Sequence, residues 1–369
     1  MATFIEEVAL QLYEKYGDSI SSLNLVLPSK RARLFFAEAL SRVARRPIWE
    51  PNYTSMDELM CRMSELDKAD KLRLVAELHK VYRRYHDEDF DKFYHWGEVL
   101  LSDFDMVDKY QVDASQLFAN IRDLKELESD VSYLTAEQIE LINRFWHTIT
   151  GDNRDAIEGS AKGHFMKVWR SLGAIYEEFR ERLHTLNIGY TGMIYREAAD
   201  RLKRGKVVLP SDEKYIFIGF NALSKCEQDV LKYMQNNGCA EFYWDYDRYY
   251  KDNKSQEAGM FIRTNVEQFS EAEGVSHDNF RNIRSVNVLS TSSNVAQCQS
   301  VVNILEDIAK KNGGYLDKDT AVVLTDENLL MPLLYALPEK FKVKRVKQGE
   351  VEMEVPAVNV TTLISVGFQ

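Results

Sequence analysis

The chain has 369 residues, 45% of them hydrophobic and 28% charged, enough to bury two or three domain cores without covalent staples. Its 58 acidic and 47 basic residues give a net charge of −11, which excludes a surface that coats nucleic acid throughout but permits a local basic strip. Four scattered cysteines (Cys61, Cys226, Cys239 and Cys298) form no CxxC pair, which argues against a disulfide framework or a zinc ribbon and fits a reducing cytoplasm.

The chain opens with MATFIEEVALQLYEKYG, where apolar Phe4, Ile5, Val8, Ala9 and Leu12 recur on one helix face. Acidic residues stand where a signal peptide needs basic ones, and no apolar run approaches the ~20 residues that span a bilayer. The stretch SLNLVLPSKRARLFFAEAL, residues 22–40, follows. It reads as a buried strand over Leu23–Leu27, a basic turn and an amphipathic helix. Lys30, Arg31 and Arg33 therefore fall where a parallel strand ends and a helix begins, the place where α/β sheets bind ligands. They gain nothing from the helix dipole, so an anion-binding role and a merely solvated basic surface both stand. Arg42, Arg45 and Arg46 sit at the other end of the helix, where the dipole alone accounts for them.

From Met56 to about Ile188 the strand signal nearly vanishes. Three helix stripes take its place: Leu72, Val75, Leu78, Val81, Tyr82 and Tyr85; Ile139, Ile142, Phe145, Trp146 and Ile149; and a long one from Phe165 to Leu186. His79 and His86, beside the acidic run Asp87–Asp89 and Asp91, are read as a solvated helix end in preference to a metal site. Strand signals return at Lys214–Gly219 (KYIFIG) and Ala240–Asp245 (AEFYWD), with Ser224 capping the helix between them. Near the second strand, Trp244 and Tyr246 are candidate base-stacking residues, while strand alternation sends Tyr243 to the core. Residues 251–284 read as a linker or a lone exposed helix. Beyond them Ala321–Thr325 and, more weakly, Ser285–Ser290 read as strands around a helix capped by Ser292 or Asn294.

The chemistry of nucleotide hydrolysis is missing. The sole Gly-Lys pair, Gly205-Lys206, is followed by Val207 and lacks the earlier glycine of a phosphate loop. The strand KYIFIG ends in Gly219, Phe220 and Asn221, with no carboxylate pair to hold magnesium. Ser211–Lys214, after Pro210, places adjacent acids at a strand entrance and reads as a turn, not as a nuclease site. No catalytic residue, metal or cofactor is expected in this chain.

LNLVLPSKRARLFFAEAL resembles the strand, turn and helix with which superfamily 1 DNA helicases touch single-stranded DNA. KYIFIGFNALSKCEQDVLKYM is similar to their magnesium-binding strand and helix with the acids replaced. VLSTSSNVAQCQSVVNILEDIAKK and DKDTAVVLTDENLLMPLLYALPE resemble the opening of their second motor domain. This frame without ATPase residues is similar to the B subunit of the AddAB helicase–nuclease family, in its shorter Bacteroidetes-type form. VLPSKRA, GFNAL and VLTDENLL carry most of the resemblance. It departs at Thr325-Asp326, where active helicases place an arginine, and at Gln297, where an acid is common.

The resemblance implies an α/β, RecA-like parallel sheet (residues 1–56 and 189–250) with a large all-α insertion (57–188), the linker (251–284) and the start of a second α/β domain (285–369). It implies DNA repair and recombination work, with Lys30, Arg31 and Arg33 on single-stranded DNA and an AddA-like helicase subunit as partner. Family members run past the segment matched by Val358–Thr361 into a PD-(D/E)XK nuclease domain, so this chain is expected to represent a truncated N-terminal part. Two other classes stay open: an ATP-dependent enzyme with an unrecognised nucleotide site, and a protein-interaction module that binds no DNA.

Overall fold

Leu23, Leu25 and Leu27 alternate with Asn24 and Val26 along β1 (Leu23–Leu27), so that the strand presents an apolar side chain to both faces of a sheet. The computed structural model describes residues 2–119, 157–207, 209, 213–282, 285–314, 316, 320–338, 340–345 and 351–356. Among these, β1 lies between β2 (Asn52–Ser55) and β5 (Lys214–Ile218), and β5 pairs in turn with β6 (Ala240–Tyr243). All three pairings are parallel, in the order β2-β1-β5-β6, with Leu25 opposite Tyr53 on one side and Ile216 on the other. The strands on either side of the helical block thus share one sheet, as expected. β2, the polar edge strand Asn-Tyr-Thr-Ser, carries no apolar alternation and is the strand that periodicity does not reveal.

Each face of the sheet has its own core. On one face Leu23, Leu25, Leu27, Ile216, Ile218 and Tyr243 meet α1 (Phe4–Tyr16) and α2 (Lys30–Val43) through Val8, Leu12, Phe36 and Leu40. Thr3 opens α1 with a capping box to Glu6, and Ser29 caps α2 by accepting from the Ala32 amide. On the other face Val26, Phe217, Phe242 and Trp244 merge with the helical block. That block comprises α3 (Met56–Met63), α4 (Lys71–Tyr82), α5 (Phe90–Lys109), α6 (Ile157–Thr185) and α7 (Thr191–Lys203); α8 (Lys225–Asn236) joins the same core. The order reverses between β1 and β5, giving the switch point at which open parallel sheets take ligands.

Several expectations need correcting. The block is not wholly helical: β3 (Asp67–Lys68) pairs in parallel with β4 (Ile188–Gly189), closing its neck where the Ile188 side chain must be buried. Leu72 is exposed and Leu74 takes its place in the α4 stripe, whereas the α6 stripe from Leu172 to Leu183 packs as the periodicity requires. Residues 139–149 lie outside the described set. The segment expected as a linker is packed. After the short α9 (Arg248–Asp252), α10 (Met260–Gln268) buries Ile262, and Phe269 then packs against Phe242 and Trp244. The Ala272 amide donates to the Phe242 carbonyl, continuing the sheet's edge.

Gly192 sets how closely α7 approaches α5. A Cβ there would lie 2.1 Å from the Asp105 carbonyl oxygen, and the Gly192 amide donates to Asp105 Oδ1 at 2.5 Å. Gly192→Ala should therefore separate the two helices and cost about 1–3 kcal/mol, the usual penalty of overpacking, in a urea titration followed by circular dichroism.

The chain divides into two compact units, residues 1–282 and 283–369. In the second, α11 (Asn294–Lys311) is capped by Ser293, between the two residues expected for that role, and α12 (Leu330–Ala336) follows. The strands expected at 285–290 and 321–325 do not form among the described residues. Val288 is 92% exposed, and without a neighbouring ladder an apolar run has nothing to hold it as a strand. The strands that do form, β7 (Lys340–Arg345) and β8 (Val351–Pro356), make an antiparallel pair. No helix among the described residues is long and apolar enough to cross a membrane.

Candidate nucleic-acid interface

β1 ends at Leu27, Pro28 and Ser29 turn the chain, and α2 begins at Lys30, so the basic turn lies at the carboxyl edge beside the switch point. Lys30 is exposed and Arg31 half-buried, and among the described residues neither side chain makes a hydrogen bond or ion pair. Lys30 acts on the Glu58 carboxylate only through its field. That carboxyl lies below the usual range, chiefly because it accepts from the Ser55 amide. Arg33 is held differently. Its guanidinium lies over the Tyr53 ring, 4.8 Å from the centroid, and 3.7 Å from Glu50. Burial and then Glu50 push the Tyr53 phenol up to about 12, Arg33 opposing them.

The three predicted cations therefore fall in the first turn of α2 but are not equivalent. Lys30 and Arg31 are uncommitted, while Arg33 staples α2 to the edge strand. At the other end of α2, Arg42 pairs with Glu38 and Glu6, and Arg46 with Asp18, so these two serve the local fold.

The two aromatic residues expected to stack bases are already occupied. Trp244 is 1% exposed, parallel to Phe242 at 5.7 Å, and belongs to the core, because the chain behind it returns to cover it with Phe269. Tyr246 is stacked on His277 at 3.9 Å, has Lys251 on its ring at 5.3 Å, and donates its hydroxyl to Glu271. His277 in turn faces Glu271 with Nε2 at 3.0 Å. Tyr243 is buried, as strand alternation requires.

His79 and His86 are buried, not solvated: His79 packs on Phe90 and Phe93, and His86 stacks on Tyr82. His86 lies 2.8 Å from Ser171 Oγ, but that hydroxyl donates to the Val168 carbonyl, so the pair lacks the geometry of an activated serine. Burial pushes the Cys226 thiol up to about 12, which keeps it inert. Gly205 ends α7 in the left-handed region, with Lys206 N–H donating to Arg201 and Gly205 N–H to Leu202. This is a Schellman turn, not a phosphate loop. Residues 210–212 lie outside the described set. Gly219, at the end of β5, also has positive φ, and a Cβ there would stand 3.4 Å from the Phe4 ring. Among the described residues no three His, Cys, Asp or Glu side chains come together as a metal site.

What sequence reasoning missed is Asp108. It is 0% exposed, yet its carboxylate accepts from Tyr176 (2.7 Å), Tyr190 and Arg196 (3.1 Å) and faces Arg180 at 3.7 Å. One signal was available: Asp108 falls on the apolar stripe of α5, four residues after Phe104 and seven after Leu101. No protein-family model matches the chain, and no curated protein matches it.

Proposed function

We propose that this chain is a non-hydrolysing, helicase-like module that holds single-stranded DNA, as the N-terminal part of a DNA repair and recombination helicase–nuclease subunit of the AddB type. One observation carries the reading. Two uncommitted cations, Lys30 and Arg31, project from the first turn of a helix at the carboxyl edge of a parallel sheet, in a chain whose net charge is −11. Their charge is repelled by the helix dipole there and is offset by a bound phosphate. The four-stranded parallel sheet with a helical block between β2 and β5 is compatible with a RecA-like frame. A motor partner of the AddA type would then supply the hydrolysis for which the end of β5, Gly219-Phe220-Asn221, carries no carboxylate.

Fluorescence anisotropy with a labelled oligonucleotide at two or more salt concentrations tests this. Lys30→Ala and Arg31→Ala should each weaken binding and flatten the log–log salt slope by about 0.7. Arg33→Ala should flatten it less, since Glu50 already neutralises that guanidinium. Lys30→Ala, at an exposed position, should alter stability by within about 0.5 kcal/mol, whereas Arg33→Ala also loses the contacts with Tyr53 and Glu50, so circular dichroism of each variant accompanies the titration. Added ATP and magnesium should change nothing. An unaltered affinity in the Lys30/Arg31 double variant would favour the protein-interaction reading, and an ATP effect the enzyme reading.

A further inference from the structure

We infer that the cavity between α6 and α7 binds a phosphate dianion, independently of the strand-end cations on α2. It encloses about 250 Å³ and is lined by no residue of β1, α2 or β2. Arg180 comes from α6, Arg201 from the last turn of α7, and Arg204 and Lys206 from the turn that ends it. Helix periodicity brings Arg201 and Arg204 onto the face that carries Glu197 and Met193, and the buried Met193 supplies an apolar wall. These four cations share the cavity with three carboxylates, Glu65, Glu197 and Asp200. Two of the acids are committed: Glu65 pairs with Arg201, and Glu197 accepts from the Ser64 hydroxyl and the Glu65 amide.

The cations are less well served. The Arg180 side chain is only 24% exposed, yet among the described residues none of its five N–H groups donates a hydrogen bond. Its Nε stands 3.7 Å from Asp108, whose oxygens already accept from Tyr176, Tyr190 and Arg196. Arg201 meets Glu65 through Nη1, and its buried Nε has no acceptor among the described residues. Arg204 and Lys206 are exposed, and among the described residues neither side chain makes a hydrogen bond or ion pair. Charged donors left unpaired at partly buried positions are costly. The α7 dipole accounts for cations at its own C-terminus but not for Arg180, which lies on α6 before the last turn. Water filling the cavity would accept the hydrogen bonds and leave the charge uncompensated. A carboxylate would satisfy one guanidinium fork, whereas a phosphate dianion has oxygens for both forks and for Lys206. Two sources carry that group: a free phosphorylated compound, and the 5′-phosphate of a nucleic-acid end.

Isothermal titration of the full chain with inorganic phosphate and with thymidine monophosphate, at fixed ionic strength, tests this. Both should bind. Replacing Arg204 and Lys206 together by Ala should weaken binding about 5- to 25-fold, with no loss of fold at these exposed positions. Arg180→Lys, which keeps the charge beside Asp108 but loses the fork, should weaken it about 10-fold or more. Asp200→Asn removes the uncommitted carboxylate and should tighten binding about 2- to 5-fold. Circular dichroism of each variant accompanies the titrations. Replacing Lys30 and Arg31 by Ala should leave both phosphate probes unaffected, which separates this site from the basic turn. A third probe pair, one oligonucleotide with and without a 5′-phosphate, identifies the source. An advantage of the phosphorylated strand that the Arg204/Lys206 variant abolishes assigns the site to a strand end, and its absence assigns it to a free compound; both uphold the site. Failure of inorganic phosphate and thymidine monophosphate to bind the unaltered chain would overturn the inference. So would phosphate binding that the Arg204/Lys206 variant retains in full, or that the Lys30/Arg31 variant alone abolishes.

Discussion

Asp108→Ala should destabilise the first unit by about 3–5 kcal/mol, a large share of the ~5–15 kcal/mol that holds an ordinary domain together. The carboxylate is entirely buried and joins α5 to two other helices: α6 through Tyr176 and Arg180, and α7 through its N-cap Tyr190 and Arg196. Its own carbonyl also accepts from Cys226 of α8 at 3.3 Å. Removing the side chain leaves two phenols without acceptors and two guanidinium groups without their counter-charge, and such unpaired groups carry the full cost of desolvation. The effect is one of charge and hydrogen bonding more than of volume. Asp108→Asn, with nearly the same shape, should therefore cost almost as much, because its amide hydrogens would face donors. Urea titrations of the two variants check this. A loss below about 1 kcal/mol in both would show that the network is dispensable.

The same residue shows where legibility ended. The strands Leu23–Leu27, Lys214–Ile218 and Ala240–Tyr243 were readable because a strand buried on both faces must be apolar almost throughout. The long stripe of α6 was readable because its burial repeats every turn. Asp108 was visible as a misplaced charge on such a stripe, but its partners lie 68 to 88 residues away and no local pattern announces them. The edge strand Asn52–Ser55 was hidden because only one of its four residues is buried. At 285–290 and 321–325 the opposite happened: the apolar pattern was present and the neighbouring ladder was not.

The candidate site divides in the same way. Lys30, Arg31 and Arg33 are legible because a basic run at a strand end is a local signal, and all three fall in the first turn of α2. The difference between them was not local, since Arg33 is engaged by Glu50 and Tyr53. For the aromatic residues, type and position near a strand end are equally good signals for Trp244 and Tyr246. Only the path of residues 251–282, which returns over β6, decides which ring is covered.

Trp244→Ala should cost about 3–5 kcal/mol of stability and leave oligonucleotide affinity unchanged under conditions where the variant stays folded. The ring is fully buried and lies nearly parallel to Phe242, at 2°, with Phe269 closing its other side at 5.9 Å. Deleting it opens a cavity between β6 and the returning segment that carries Phe269, and the aromatic neighbours cannot fill it without leaving their own contacts. Its indole N–H has no acceptor among the described residues, so part of what the ring gains by burial is already offset by an unpaired donor. Trp244→Phe removes that donor while keeping a ring in the stack, and should cost much less than Trp244→Ala. Urea denaturation followed by far-ultraviolet circular dichroism separates the two, since neither variant retains the Trp244 fluorescence. The same proteins in the anisotropy assay then decide the role of the residue. A core tryptophan moves the denaturation midpoint and not the affinity, whereas a base-stacking tryptophan does the reverse. Loss of affinity at full stability in Trp244→Ala would return the residue to the interface, and would require the Phe269 segment to open when DNA binds.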